Sequence, residues 1–284
     1  MNQRAGLLFV LPALVVMALL IVFPAIDMIW LAATDPAGHA ALGANLAATT
    51  AARATRVAAW NTAVYVSASI VLQMVVGTAI GILLNQSFRG RAVLRSIVLL
   101  PWVVPGIVAA TTWAWMLHTE FGIVNQVLLQ TGAIARPVGF LVDPDLAMPS
   151  LIAVNVWKQC PFVAVMVLAG LQTVPQELYE AARVDGASFW GEVRHVMLPG
   201  IRDVLVGVTL LLTIWGLNGI TLVYAMTRGG PANRTLILPI QIFRQAFEAF
   251  QINEAAALSA LFFAGTLVLV WLYIRVSSPK GKQA

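Results

Sequence analysis

The chain has 284 residues, 60% of them hydrophobic and only 10% charged, with a mean hydropathy of +0.86 and a formal net charge of +5. That composition excludes a water-solvated surface and points to lipid as the solvent. A single cysteine excludes an intrachain disulfide or a thiolate metal cluster, and no basic run with interleaved aromatics points to nucleic acid.

Crossing the hydrocarbon core takes about 20 apolar residues at roughly 1.5 Å of rise each. Six stretches meet that length, at about 7–31, 58–84, 97–117, 149–172, 204–226 and 255–274. They predict an all-α membrane protein of six transmembrane helices forming one domain, 1–284, because the runs are too long for barrel strands and a helix satisfies its own backbone in lipid. The first stretch exceeds a signal-peptide core and lacks a small-residue cleavage site, so it reads as a retained helix interrupted by Pro12 and Pro24. In the second, Gly77 and Gly81 form a G-x-x-x-G pair suited to close packing. Trp30, Trp60 and Trp271 stand near span ends, as interfacial anchors do.

The fourth stretch places Asn155, Lys158, Gln159 and Phe162 on one face at i, i+3, i+4 and i+7, with Pro161 bending the helix beside them. Cys160, in the same stretch, reads as a small buried hydrophobe. The fifth offers Trp215 and Asn218, with Gly216 and Gly219 next to them. Polar side chains within spans face a bundle interior or a watery cavity. Amides and aromatic faces suit sugar hydroxyls and rings. These six side chains are therefore the candidate substrate pathway, with helix packing by the amides as the competing role.

Lys and Arg collect in cytoplasmic loops. One side of the predicted topology carries ten of them in about 59 positions, including Arg4, Lys280 and Lys282, and the other carries six in about 85. Both termini are expected in the cytoplasm.

The connection from Thr173 to Asp203, on the basic side, is longer than a hairpin between spans requires. Thr173 and Gln176 have capping-box spacing, with Pro175 and Glu177 in the first turn, so a short helix is expected to start there. Asp185-Gly186 stops it, the glycine supplying a left-handed turn. Ser188 caps a second short helix through Met197, and Leu198-Pro199-Gly200 is expected to break that one. Leu178, Ala181, Ala182 and Asp185 share one face of the first helix, a face suited equally to a partner surface or to the lipid interface.

Glu180-Ala181-Ala182, then Gly186, then Val196-Met197-Leu198-Pro199 resembles the EAA signature (E-A-A-x3-G-x9-I-x-L-P) of binding-protein-dependent ABC importer permeases, with Val196 for the usual isoleucine. Val156-Trp157-Lys158 with Pro161-Phe162, Leu168 to Gln172, Leu100-Pro101-Trp102 with Pro105, Phe121-Gly122 with Asn125, and Gly229-Gly230-Pro231-Ala232 are similar to signposts of the sugar-type branch. The resemblance implies a type I importer fold in the bacterial inner membrane, whose loop 173–203 is a coupling helix seated in a cytoplasmic ATPase subunit. Glu180, Ala181, Ala182, Asp185, Gly186, Leu198 and Pro199 are then the coupling residues, Glu180 pairing with a basic residue of the partner and Gly186 permitting the bend. It further implies two ATP-binding subunits, a second homologous permease subunit in a heterodimer, and an extracytoplasmic solute-binding protein. The solute would be a sugar or oligosaccharide, or glycerol phosphate or a related polyol. Lysine at position 158 looks common in this branch, pairing with a carbonyl or an acid, whereas Arg228 departs from the pattern, standing on an external turn where glycine is usual.

No G-x-x-x-x-G-K-[ST] stretch is present to cradle nucleotide phosphates, so ATP and magnesium are expected on the partner subunits and the chain is expected not to be an enzyme. His39, His118 and His195 are far apart in sequence and form no evident metal or nucleophile set. The alternative reading, an ion-coupled secondary transporter, needs paired half-repeats and intramembrane carboxylates. Asp27, near the end of its span, is the one carboxylate that qualifies.

Overall fold

The computed structural model describes residues 3–277, with side chains from Val10 onward. Arg4, Lys280 and Lys282, which entered the charge count, fall outside the described side chains. Helix α1 runs through Gln3–Met17, a π-helical turn at Ala18–Val22 and Phe23–Ala33. It is followed by α2 (Leu42–Ala51), α3 (Arg53–Asn85), α4 (Arg91–Val103), α5 (Gly106–Met116), α6 (Ile123–Gln130) and α7 (Ala147–Leu171). Then come α8 (Gln176–Val184), α9 (Phe189–Gly200), α10 (Arg202–Asn218), α11 (Ile220–Thr227), α12 (Leu238–Phe243, extended by a π turn at Arg244–Glu248) and α13 (Ile252–Ser277). No named strand occurs among the described residues, only a single bridge between Thr34 and Ala40.

Four helices are long and apolar enough to cross a membrane unbroken: Val10–Ala33, Arg53–Asn85, Ala147–Leu171 and Ile252–Ser277. The other two expected spans are broken. In place of one helix over 97–117, α4 and α5 meet at 94°. Pro105 lacks an N–H and holds Val104 in extended backbone, φ −60° and ψ 130°, which ends α4. The stretch expected at 204–226 divides at Gly219, whose ψ of 73° separates α10 from α11.

The chain resolves into two compact units. In the first, Met1–Arg56 with Ile240–Leu269, small residues let α1 and α13 approach: Ala32 packs with Ala256 and Ala257 beside Met28, Leu31, Leu46 and Ala260. The carbonyls at the end of α1, which lack helical partners, are closed by two amides. Asn45 Nδ2 donates to Ala32 O (3.0 Å) and Thr34 O (2.8 Å), and Asn253 Nδ2 donates to Leu31 O (3.0 Å) and Thr34 O (2.8 Å).

The second unit, Val57–Pro239 with Val270–Ala284, is built on α3 and α7. Gly77 and Gly81 face Val163 and Val167, both fully buried, so closely that a Cβ on Gly77 would overlap Val163 and one on Gly81 would stand 2.7 Å from Val167 Cγ1. That core continues from Ile82 and Leu171 into Tyr179, Val193, Met197, Ile201, Val208 and Leu212, so the short helices α8 and α9 share packing with α3, α7 and α10. Helix α5 lies along α11, and α4 and α10 both pack on α7. Trp60 is strongly exposed, as an interfacial anchor requires.

Candidate coupling loop and solute cavity

The first short helix starts later than the capping-box spacing predicts. Its N-cap is Pro175, where a missing N–H is harmless. Thr173 instead belongs to the end of α7, its hydroxyl donating to Gly170 O at 2.8 Å. The turn continues through Thr173 and Val174, whose N–H groups donate to Gly170 and Leu171 carbonyls, and this uses up the residues that the box would need. At the other end, Gly186 adopts φ +78°; its N–H donates to Arg183 O (3.0 Å) and that of Ala187 to Ala182 O (2.9 Å), closing the helix with a left-handed turn. Ser188 Oγ accepts from Gly191 N–H at 3.3 Å and caps α9.

Leu198-Pro199-Gly200 does not break α9. The helix widens into a π turn at Val193–Met197 before Pro199, runs on to Gly200, and bends by 69° at Ile201 into α10. In the widened turn Leu198 N–H reaches back to Val193 O, a register that lets the proline ring into the helix.

Across the glycine bend, Arg183 Nε donates to Glu192 Oε1 at 2.9 Å. Glu192 is buried, as is Tyr179, and burial together with the Glu192 carboxylate pushes the Tyr179 phenol above its usual range. Sequence reasoning missed the Arg183–Glu192 pair and Tyr179. The available signal was two opposite charges nine residues apart on either side of Asp185-Gly186. The outer side of the loop presents Glu180, Ala181, Asp185, Gly186 and Pro199 to the surroundings, while Ala182 and Leu198 are half-buried. Around them Leu178 and Val184 are exposed by 51% and 87%, while Trp190, exposed by 75%, borders an apolar groove with α3.

Between α3, α7 and α10 lies a cavity of about 140 Å³. Of the predicted pathway, Asn155, Lys158, Gln159 and Trp215 line it. Phe162 stands behind Trp215, with ring centroids 4.8 Å apart, and stacks on Trp102 at 5.8 Å. Asn218 does not join the lining; its Nδ2 turns back to Ile214 O at 2.8 Å, because α10 ends there and Gly219 carries the chain away. Lys158 Nζ donates to Val104 O at 2.7 Å and reaches Pro101 O at 3.5 Å. The opposite wall went unread in the sequence: Tyr65, Ser69 and Gln73, four residues apart on α3 and all buried. The spacing rule that selected the α7 residues selects these too. Ser69 Oγ and Gln159 Oε1 are buried without hydrogen-bond partners, which leaves two polar atoms at the cavity wall to be satisfied by whatever enters.

Cys160 is buried. His195 Nδ1 lies 3.0 Å from Gly191 O, and His118 stacks on Phe121. Among the described residues no three His, Cys, Asp or Glu side chains are placed to hold a metal ion. Arg228 takes the left-handed conformation, φ +50°, that a glycine there would adopt without strain, and its guanidinium lies 5.9 Å from the Tyr224 ring centroid.

Residues 73–278 match the family model described as the binding-protein-dependent transport system inner membrane component. A probable ABC transporter permease protein of Brucella suis biovar 1 (strain 1330) is 33% identical over 282 residues, 98% of each chain. The trehalose/maltose transport system permease protein MalF of Thermococcus litoralis is 32% identical over 280 residues, 97% of this chain and 94% of the relative. A chain of the bacterial alginate ABC transporter, solved with an alginate pentasaccharide-bound periplasmic protein, superposes with a TM-score of 0.87 over 97% of this chain and 95% of its own length at 21% identity, which establishes a shared fold. These matches favour no ion-coupled transporter. The chain belongs to the family of binding-protein-dependent transport system inner membrane components, as a multi-pass permease subunit of an ABC importer.

Proposed function

We propose that this chain imports a saccharide together with a second homologous permease subunit, an extracytoplasmic solute-binding protein and two cytoplasmic ATP-binding subunits that hold the ATP and magnesium. The chain itself performs no hydrolysis. Its basic loops and both termini lie in the cytoplasm, following the Lys and Arg excess on that side.

The observation that carries this reading is the two-sidedness of α8 and α9. Their inner side chains, Tyr179, Val193 and Met197, belong to the same core as Val163 and Val208, while Leu178, Glu180, Ala181, Val184 and Asp185 remain exposed. A partner gripping the exposed side displaces the buried side with it, since a packed core transmits strain rather than absorbing it. Closure of the ATP-binding subunits around Glu180, Ala181, Ala182, Asp185 and Gly186, with Leu198 and Pro199 at the exit to α10, then opens the solute path outward. Hydrolysis resets it.

A saccharide is supported by the T. litoralis relative, whose name assigns it trehalose and maltose, and by the cavity chemistry. Gln159 Oε1 needs a donor, the Ser69 hydroxyl gives or accepts, Asn155 and Gln73 add amides, and Trp215 supplies an aromatic face. Glu180→Ala and Gly186→Pro are expected to insert normally while lowering uptake by about tenfold or more; normal uptake by both variants refutes the coupling assignment. Profiling the solute held by the cognate binding protein tests the substrate class, and a retained glycerol phosphate or polyol would replace the saccharide.

A further inference from the structure

Pro105 has no N–H, so the carbonyl four residues earlier, that of Pro101, loses its helical partner. The chain then turns by 94° into α5, and the carbonyl of Val104 is left beyond the helical ladder as well. At membrane depth such groups need a partner from protein or from a water-filled cavity.

One side chain serves both. Lys158 Nζ lies 2.7 Å from Val104 O and 3.5 Å from Pro101 O. The lysine stands on α7 between Asn155 and Gln159 in the cavity wall, and Gly106, the first residue of α5, lines the same cavity. No Asp or Glu lines that cavity, and no ion pair among the described residues includes Lys158. Its charge is met instead by the carbonyl end of α4, where the helix dipole favours a cation. Three ammonium protons allow two carbonyls to be served at once, which no neutral side chain of similar length can match with charge as well.

We propose that Lys158 is a positioning residue: its ammonium group fastens the break of the third span to α7 and so holds the α4–α5 corner in place at the solute cavity. The functional weight of that corner rests on the saccharide-path reading above, whereas the fastening itself does not. Lysine appears at this place because the break is there, and an acid or an anionic solute is not required to explain it.

The test is a distance across the break, measured by pulsed electron paramagnetic resonance on the full chain in lipid nanodiscs. Spin labels go on Val93→Cys in α4 and Val108→Cys in α5, both exposed, in a Cys160→Ala background. Lys158→Met is expected to widen the distance distribution at least about twofold, since it keeps the volume and removes every donor. Lys158→Arg is expected to restore the narrow distribution, because its guanidinium also donates to carbonyls. In a Pro105→Ala background, where residue 105 regains an N–H for Pro101 O, Lys158→Met should widen the distribution less. An unchanged narrow distribution in Lys158→Met overturns the proposal, as does an equal widening in Lys158→Arg. If Lys158→Met does not fold, Lys158→Gln, with two donors and no charge, replaces it, and its distribution must still be wider than that of Lys158→Arg. No solute is needed, so a failure here leaves the saccharide reading standing, and a chain that proves to carry another solute leaves this result standing.

Discussion

Gly81→Ala adds one methyl group where α3 and α7 pack closely. The new Cβ would stand 2.7 Å from Val167 Cγ1, 2.8 Å from Val167 Cβ and 2.8 Å from the backbone oxygen of Ala164. Carbon atoms in ordinary contact sit about 3.5–4.0 Å apart, so the helices must separate by about 1 Å at this level or rearrange around it. A rotamer change moves Val167 Cγ1 but neither Val167 Cβ nor the Ala164 carbonyl, so relief has to come from the backbone. Overpacking of this kind costs roughly 1–3 kcal/mol, and replacing a mid-helix glycine by alanine offsets about 1 kcal/mol through helix propensity. A net destabilisation of about 0–2 kcal/mol is expected. It is read from reversible SDS-induced unfolding of the purified chain in mixed micelles, followed by tryptophan fluorescence. Adding Val167→Ala should recover only part of the loss, because Val167 Cβ remains. Gly265→Ala, where an added Cβ meets nothing within 4 Å, is the control and should be neutral or slightly stabilising. A Gly81→Ala chain that is at least as stable as the Gly265→Ala control removes the close-packing argument.

Gly186→Ala places a Cβ at φ +78°, a conformation that costs an L-residue about 1–2 kcal/mol; amide exchange should quicken over residues 184–188 and stay unchanged in α3, and uniform exchange would count against the glycine's role. Glu192→Gln removes the charge that Arg183 meets across the bend; protease cleavage within residues 183–190 is expected to accelerate, and Arg183→Met should act in the same direction, with no further loss in the double variant. Asp35 accepts hydrogen bonds from the backbone N–H groups of His39 (2.8 Å) and Ala37 (2.9 Å) and faces the His39 ring, and the His39 backbone bond foremost lowers its carboxyl below the usual range. The folded-state value is the lower one, so the turn's stabilisation is present above the ordinary carboxylate range and is lost as pH falls through the lowered value. Asp35→Asn should abolish that acid-side change in the nuclear magnetic resonance shifts of His39, and an identical titration would refute the assignment.

Four of the six spans were legible as unbroken helices because about twenty apolar residues leave lipid as the only solvent, and the loop's glycine bend and Ser188 cap were legible because both are local. What stayed hidden was decided at a distance or by competition. Thr173 has two uses for one hydroxyl, and the end of α7 takes it before α8 can. Pro199 breaks a helix of ordinary pitch but not one already widened at Val193–Met197, and a π turn has no sequence signature. Lys158 was expected to pair with a carbonyl or an acid, and which of the two stayed hidden because its acceptors are main-chain oxygens 54 and 57 residues away. Tyr65, Ser69 and Gln73 were passed over for the opposite reason: a hydroxyl or an amide in a long helix is unremarkable until a facing wall shows what it borders. Asn218 kept the right spacing, but α10 ends at its position, and a side chain in a last turn bonds its own helix.

The two asparagines at the end of α1 also set an order of events. Thr34 O accepts from Asn45 and again from Asn253, 219 positions further along. Ribosomal synthesis delivers α1 before α13, so the carbonyls of Leu31 and Thr34 gain the Asn253 amide only once residue 253 has been added. The end of α1 is thus tied to α13 through a main-chain oxygen that two amides share.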